Sequence, residues 1–189
     1  SMMISFSRLG RGLARRWHWR TRLGGPRSPI GTLGGTRGKA DMVIREIIEP
    51  DRSDWVRLRD SLWPGSLSDH DVETRNYFQS RAEAPIVFVA EAEGRVVGFL
   101  ELDFRKYAPG CTASPVAFIE GWFVEPAFQR RGIGRALVAA AEERARAMGH
   151  DEMASDSEVE NAEGIAAHRA LGYEEIERVV CFRRSLNNA

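Results

Sequence analysis

Residues 129–135 read Gln-Arg-Arg-Gly-Ile-Gly-Arg, with Gly132 and Gly134 two apart and Arg130, Arg131 and Arg135 around them. A backbone that turns through two glycines presents successive N–H groups. Where the turn also opens a helix, those groups have no intrahelical acceptor and lie at the positive end of the helix dipole. That is the chemistry of anion binding, and three arginines favour a phosphate over a lone carboxylate. A tight strand-to-helix turn with solvated arginines has the same residues, so glycine spacing alone leaves both readings open. Two other phosphate loops are excluded. A Walker loop needs a lysine directly after its last glycine, whereas Lys39 and Lys106 are the only lysines in the chain. A dinucleotide fingerprint needs a third small residue where Leu137 stands.

The elements that must position this corner are legible on either side of it. Val116–Val124 (VAFIEGWFV) is apolar and β-branched or aromatic at most positions, which predicts a buried strand. Ile133, Leu137, Ala141, Ala145 and Met148 recur at spacings of three and four and are followed by Gly149, which predicts a helix over 133–148. Upstream, the patterns predict a strand over 42–47, a helix over 51–62 with Asp51 as N-cap, and a helix from Ser68 or Asp69 to Gln79. Strands over 85–91 and 96–104 flank the turn signal Glu93-Gly94-Arg95. Downstream come a short strand over 152–155, a helix over 161–171 stopped by Gly172, and a last strand over 173–183. The order is β-α-α-β-β-β-α-β-α-β, an α/β mixed sheet with helices on both faces. A doubly wound nucleotide-binding domain would place its glycine corner after the first strand, not after three earlier ones.

Composition narrows the class. The 189 residues allow one ordinary domain with a tail, and no run reaches the roughly 18 apolar residues of a membrane helix. Cys111 and Cys181 fit neither a disulfide framework nor a metal site, and four scattered histidines make no ligand cluster. A reduced, cytoplasmic protein without metal or membrane is expected. Net charge is zero, with 27 basic and 27 acidic residues, but residues 1–41 hold nine of the bases and one acid. The remainder therefore carries an excess of eight acids, which suits a cationic ligand. Residues 1–41 are rich in Gly, Arg, Ser and Pro without period and are expected to be a disordered basic extension. A targeting peptide, a nucleic-acid arm around Arg15–Arg20 and upstream sequence ahead of a start at Met42 compete for it. The last is preferred, with Ser1 a cloning remnant, and no nucleic-acid role is assigned.

The corner resembles the acyl-CoA pyrophosphate loop of the GNAT acetyltransferases, Gln/Arg-x-x-Gly-x-Gly/Ala, in its required place between strand and helix. The predicted element order is also the one that fold uses, so the resemblance covers nearly all of residues 42–184. Five further stretches narrow it: LWPG (62–65), YAPGC (107–111), FIEGWFV (118–124), EMASDSEVEN (152–161) and ALGYEEIERV (170–179). In order and spacing they are similar to the aminoglycoside 6′-N-acetyltransferases of the chromosomal Acinetobacter and Salmonella type.

That resemblance implies acetyl-CoA as cosubstrate, an aminoglycoside as acceptor, antibiotic resistance as outcome and a homodimer that meets through C-terminal strands. It implies cofactor contacts at Trp122, Phe123 and Val124 for the pantetheine arm, at Arg130, Arg131, Gly132, Ile133, Gly134 and Arg135 for the pyrophosphate, and at Asn161. It implies an acceptor pocket walled by Trp63 and Tyr107 and lined by Glu120, Asp156 and Glu177. Carboxylates recognise ammonium groups by charge-assisted hydrogen bonds, and aromatic faces pack on sugars or cations. A carboxylate must also take a proton from the attacking amine. Glu120, on an otherwise apolar strand and so desolvated, is the expected base, with Asp156 positioning the amine. The backbone where strand 116–124 parts from its neighbour is expected to steady the oxyanion.

Each residue also has a structural reading: Glu120 as an ion-paired carboxylate, Asp156 as a turn or cap, Glu177 as one acid of a solvated strand, Trp63 as core. Many GNAT enzymes place a tyrosine four residues before the last helix's glycine, as general acid; here the position is His168, so the acid is unassigned. A GNAT enzyme for a polyamine, small metabolite or protein N-terminus, and a CoA- or nucleic-acid-binding module, are the other readings.

Overall fold

The computed structural model describes residues 42–65, 67–80 and 85–186, so the expectations for residues 1–41 lie outside the described residues. Five strands make one sheet in sequence order: β1 (Met42–Glu46), β2 (Ile86–Ala92), β3 (Arg95–Arg105), β4 (Val116–Val124) and β5 (Met153–Ser155). The first four pair antiparallel, and β5 runs parallel to β4. Four helices complete the order: α1 (Arg52–Leu62), α2 (Leu67–Gln79), α3 (Ile133–Ala147) and α4 (Ala162–Ala170).

Local chemistry accounts for most of these boundaries. The β2–β3 hairpin turns on Glu93 and Gly94, both at positive φ (53° and 75°), the conformation that matches the twist of a two-residue hairpin. Helix α3 buries Ile133, Leu137, Val138, Ala141 and Ala145, one apolar stripe. It ends where Gly149 takes φ 89° and the His150 N–H returns to the Ala145 carbonyl at 3.0 Å. Pleating then sorts the helices onto two faces. Phe99 and Glu101 of β3 meet α1 and the residue after it, through the Trp63 ring and the Trp55 indole N–H. Leu100 is the cross-strand partner of Trp122, whose ring lies against Gly134 of α3.

Two irregularities on β4 shape everything that follows. Glu101 pairs with Gly121 and Leu102 with Ile119, so Glu120 is the extra residue of a β-bulge, a device that re-aims a side chain. Pairing with β5 starts at Ala117–Met153 and stops at Ile119–Ser155. Among the described residues, Glu120–Val124 have no strand on that side, and the two strands fork at the bulge.

Two expectations are corrected. Residues 173–186 form no strand: a β-pattern needs a partner edge, and none of this chain's described strands supplies one. Val179, Val180, Phe182 and Leu186 are instead exposed, Phe182 at 92 %. Asp51 precedes α1 but does not cap it. Its carboxylate accepts the Ile48 N–H at 3.0 Å and pairs with Arg45 at 2.6 Å. Burial pushes that carboxyl up, but the two bonds outweigh it and hold the group below the usual carboxylate range.

Candidate active site

The glycine corner has the geometry its residues predict. Gly132 takes φ 86°, where an L side chain is strained, and caps α3 without a side chain of its own. Helical geometry leaves the N–H groups of Ile133, Gly134 and Arg135 without intrahelical acceptors. Gln129 ties the corner to the end of β4 by donating to the Val124 carbonyl at 2.8 Å. Arg131 lies over the Phe128 ring at 4.9 Å and pairs with Glu93 at 3.5 Å, and Arg135 donates to the Ala170 carbonyl at 3.1 Å. Arg130 takes φ 60° beside them. The corner is thus a pre-shaped cationic cradle.

Trp122, Phe123 and Val124 are all buried, so their side chains are core and what they leave open is the backbone edge of β4. A Cβ on Gly134 would stand 2.8 Å from the Trp122 ring, so the helix end approaches this strand as closely as a glycine permits. The Trp122 indole N–H is buried and unpartnered. Asn161 caps α4, its side-chain oxygen accepting the Gly164 N–H at 3.0 Å, while its amide nitrogen is buried without a partner. That arrangement combines a structural cap with an unspent donor.

On the other side of the fork the bulge brings Glu120 to an arginine that sequence reasoning missed. Arg105, at the end of β3, donates to both Glu120 oxygens at 2.7 and 2.6 Å, reaches Asp156 at 3.6 Å, and lies on the Phe118 ring at 3.4 Å. Glu120 is therefore half of a two-pronged ion pair and not a lone carboxylate on an apolar strand. Asp156 follows the last residue of β5. Burial pushes its carboxyl up, Arg105 pulls it down and Glu120 pushes it up again. The signal that could have found Arg105 is the cross-strand register, which no local pattern carries.

Trp63 is only 6 % exposed, held between the Arg59 guanidinium, Phe99 and Gly121, where a Cβ would meet the ring at 2.5 Å. Its ring is part of the core. Behind it, buried Glu101 accepts from Arg59 at 2.9 Å and Trp55 at 3.0 Å; burial drives its carboxyl up against their pull. Tyr107 is 71 % exposed on a loop that Glu152 ties down by accepting the Thr112 and Ala113 N–H groups at 2.8 and 2.6 Å. Glu177 is brought to none of the other carboxylates. It is exposed in the strandless arm, whose Ile176 packs on Gly110 of the Tyr107 loop.

His168 stands between the two halves, edge-on to Trp122 with centroids 5.6 Å apart. Its Nδ1 lies 2.8 Å from the Gly164 carbonyl, which can only accept, so Nδ1 carries the proton. Nε2 is left to accept from the Ser155 hydroxyl at 3.0 Å. Burial holds the imidazole below its ordinary pKa, in the neutral form. No group of three or more His, Cys, Asp or Glu able to hold a metal occurs among the described residues.

Comparison with known proteins matches this architecture. The family model described as Acetyltransferase (GNAT) family matches residues 52–173. A protein of Stenotrophomonas maltophilia named aminoglycoside N(6′)-acetyltransferase type 1 is 44 % identical over 145 residues, 76 % of this chain and 94 % of its own. The structure of AAC(6′)-Iy with the bisubstrate analogue CoA-S-monomethyl-acetylneamine superposes with a TM-score of 0.71 at 38 % identity, over 77 % of this chain and 99 % of that one. The aminoglycoside 6′-N-acetyltransferase AAC(6′)-Ih of Acinetobacter baumannii gives 0.72 at 37 %, over 78 % and 100 %. With the family model matched over residues 52–173 and relatives matched over nearly their whole length, the chain belongs to the GNAT acetyltransferase family and, within it, to the aminoglycoside 6′-N-acetyltransferases.

Proposed function

We propose that this enzyme transfers the acetyl group of acetyl-CoA to the 6′-amine of aminoglycoside antibiotics and so confers resistance to them. The observation that carries this reading is the carboxylate pair Glu120 and Asp156 at the fork of β4 and β5, one bulge away from the strand end that leads to the cationic corner. A polycationic acceptor and a polyanionic cosubstrate then meet at the fork from opposite sides. Cofactor contacts fall to the backbone edge at Trp122–Val124, the corner from Arg130 to Arg135, and Asn161.

The 6′-ammonium must lose a proton before its lone pair can attack the thioester carbonyl. Both Glu120 oxygens are occupied by Arg105, while Asp156 has one longer contact and a carboxyl that burial makes more basic. Asp156 is therefore the better proton acceptor and Glu120 the holder of the ammonium. An N–H on the unpaired edge of β4 steadies the oxyanion as the C–N bond forms. The C–S bond then breaks and CoA leaves as its thiolate, with no acyl-enzyme. Tyr107 supplies an exposed ring to a sugar, and Glu177 a further carboxylate.

The finer reading is a cytoplasmic homodimer. Its support is the arm over 173–186 with exposed Val180, Phe182 and Leu186, which pairs with no described strand of its own chain and which a second copy could pair. The free thiols of Cys111 and Cys181 suit a reducing compartment. The direct test is thiol release from acetyl-CoA with kanamycin, which has a 6′-amine, beside an analogue with a 6′-hydroxyl. Release with the amine alone is the expected result; release with neither would move the acceptor to polyamines or peptides.

A further inference from the structure

Arg105 takes no part in bond making or proton transfer at the fork, yet it contacts both carboxylates there. It forms two short hydrogen bonds to Glu120, a longer contact to Asp156 and a contact with the Phe118 ring. Two carboxylates that share a small site resist ionising together, and a guanidinium between them removes that resistance, because it never gives up its own charge. The planar fork suits the task better than a point charge. It takes both oxygens of one carboxylate and still turns its remaining nitrogen to the other.

We propose that Arg105 is a positioning residue of the acceptor site, a resident counter-cation that keeps Glu120 and Asp156 both anionic and side by side for the incoming ammonium. The proposal deepens the acetyl-transfer reading and rests on it for its kinetic consequence, though not for its electrostatic one. Other titratable groups face the same cluster. Asp103 and Glu101 come from β3, His168 from α4, and beyond Glu101 lie Glu73 of α2 and Arg59 of α1. Asp103 is pushed up by burial and by Glu120, and His168 is held neutral, so neither substitutes for the guanidinium. Without Arg105, Asp156 would lose the cation that opposes both its burial and its repulsion by Glu120.

The experiment is a carbon-13 NMR titration of the Asp156 carboxyl in the full chain without acceptor, comparing wild type with Arg105→Gln. The Asp156 midpoint is expected to rise by about one pH unit or more, and an unchanged midpoint overturns the proposal. Should Arg105→Gln not fold, Glu120→Gln decides: the Asp156 midpoint falls if the three groups are coupled, and stays put if they are not. With kanamycin, the acid limb of kcat/KM in Arg105→Gln moves up with the midpoint, so activity below that limb drops about tenfold for every pH unit the midpoint climbs. At pH 8 the KM for the drug falls, because the pair carries more negative charge. An equal loss at every pH would mark a merely structural side chain and overturn the proposal. Absence of kanamycin turnover in the wild type would remove the substrate reading alone, since the titration needs no acceptor.

Discussion

The two sides of the β4–β5 fork are built from different materials. The side proposed for the cofactor is mostly backbone: an unpaired strand edge, a left-handed glycine, and helix N–H groups, contributed almost entirely by residues 122–135. The side proposed for the acceptor is side chains drawn from β3, β4, the segment after β5, a loop and the C-terminal arm, with its central carboxylates held in ion pairs. A backbone site is finished when its local segment folds, and it recognises what all such cosubstrates share. A side-chain site is finished only by tertiary register and can be re-aimed residue by residue, which is how one fold serves many acceptors.

The comparison predicts that damage on one side leaves binding on the other side intact. The largest effect belongs to Asp156→Asn. Loss of the proton acceptor should lower kcat by about a hundredfold or more, with CoA affinity by calorimetry unchanged. Weakened CoA binding in that variant would mean that the two halves are not separable.

A smaller effect, on the other half, is expected from Gly134→Val. A Cβ there already falls 2.8 Å from the Trp122 ring. Overpacking of about 1–3 kcal/mol should weaken CoA binding roughly tenfold or more, while the KM for kanamycin at saturating acetyl-CoA stays within about twofold. Unaltered CoA affinity would show that the helix end does not need its close approach to β4.

The smallest effect tests the boundary between the halves. Burial lowers the folded-state pKa of His168 below its ordinary value, so in that window the unfolded chain binds more protons and stability rises with pH. Replacement by Gln should flatten the rise of Tm with pH below the ordinary histidine value of 6.5 relative to wild type. An identical slope in the variant would mean that His168 is not a buried neutral group, and that the Ser155 contact needs another explanation.

How far each side was legible follows from the same contrast. Gly132, Gly134, the flanking strand and the amphipathic stripe of α3 all lie within one continuous stretch and obey short-range rules, so their local structure follows from spacing. Glu120 and Asp156 were marked by resemblance, but the bulge that turns Glu120 and the guanidinium that holds it depend on how β3 registers against β4. Arg105 and Glu120 lie 15 residues apart in the chain. The arm over 173–186 fails in the opposite way: its β-pattern is plain, but a strand is a relation between two segments, and the described residues offer no second one.

The sequence alone therefore determined the order of elements through α4 and the strand-to-helix corner with its two glycines, because periodicity and glycine conformation act over a few residues, while the cosubstrate was indicated by resemblance. Tertiary structure decided where β4 and β5 part, which cation holds Glu120 and Asp156, and that Trp63 lies in the core. Those outcomes depend on pairing register and close packing, in which a shift of one residue would exchange the faces of a strand.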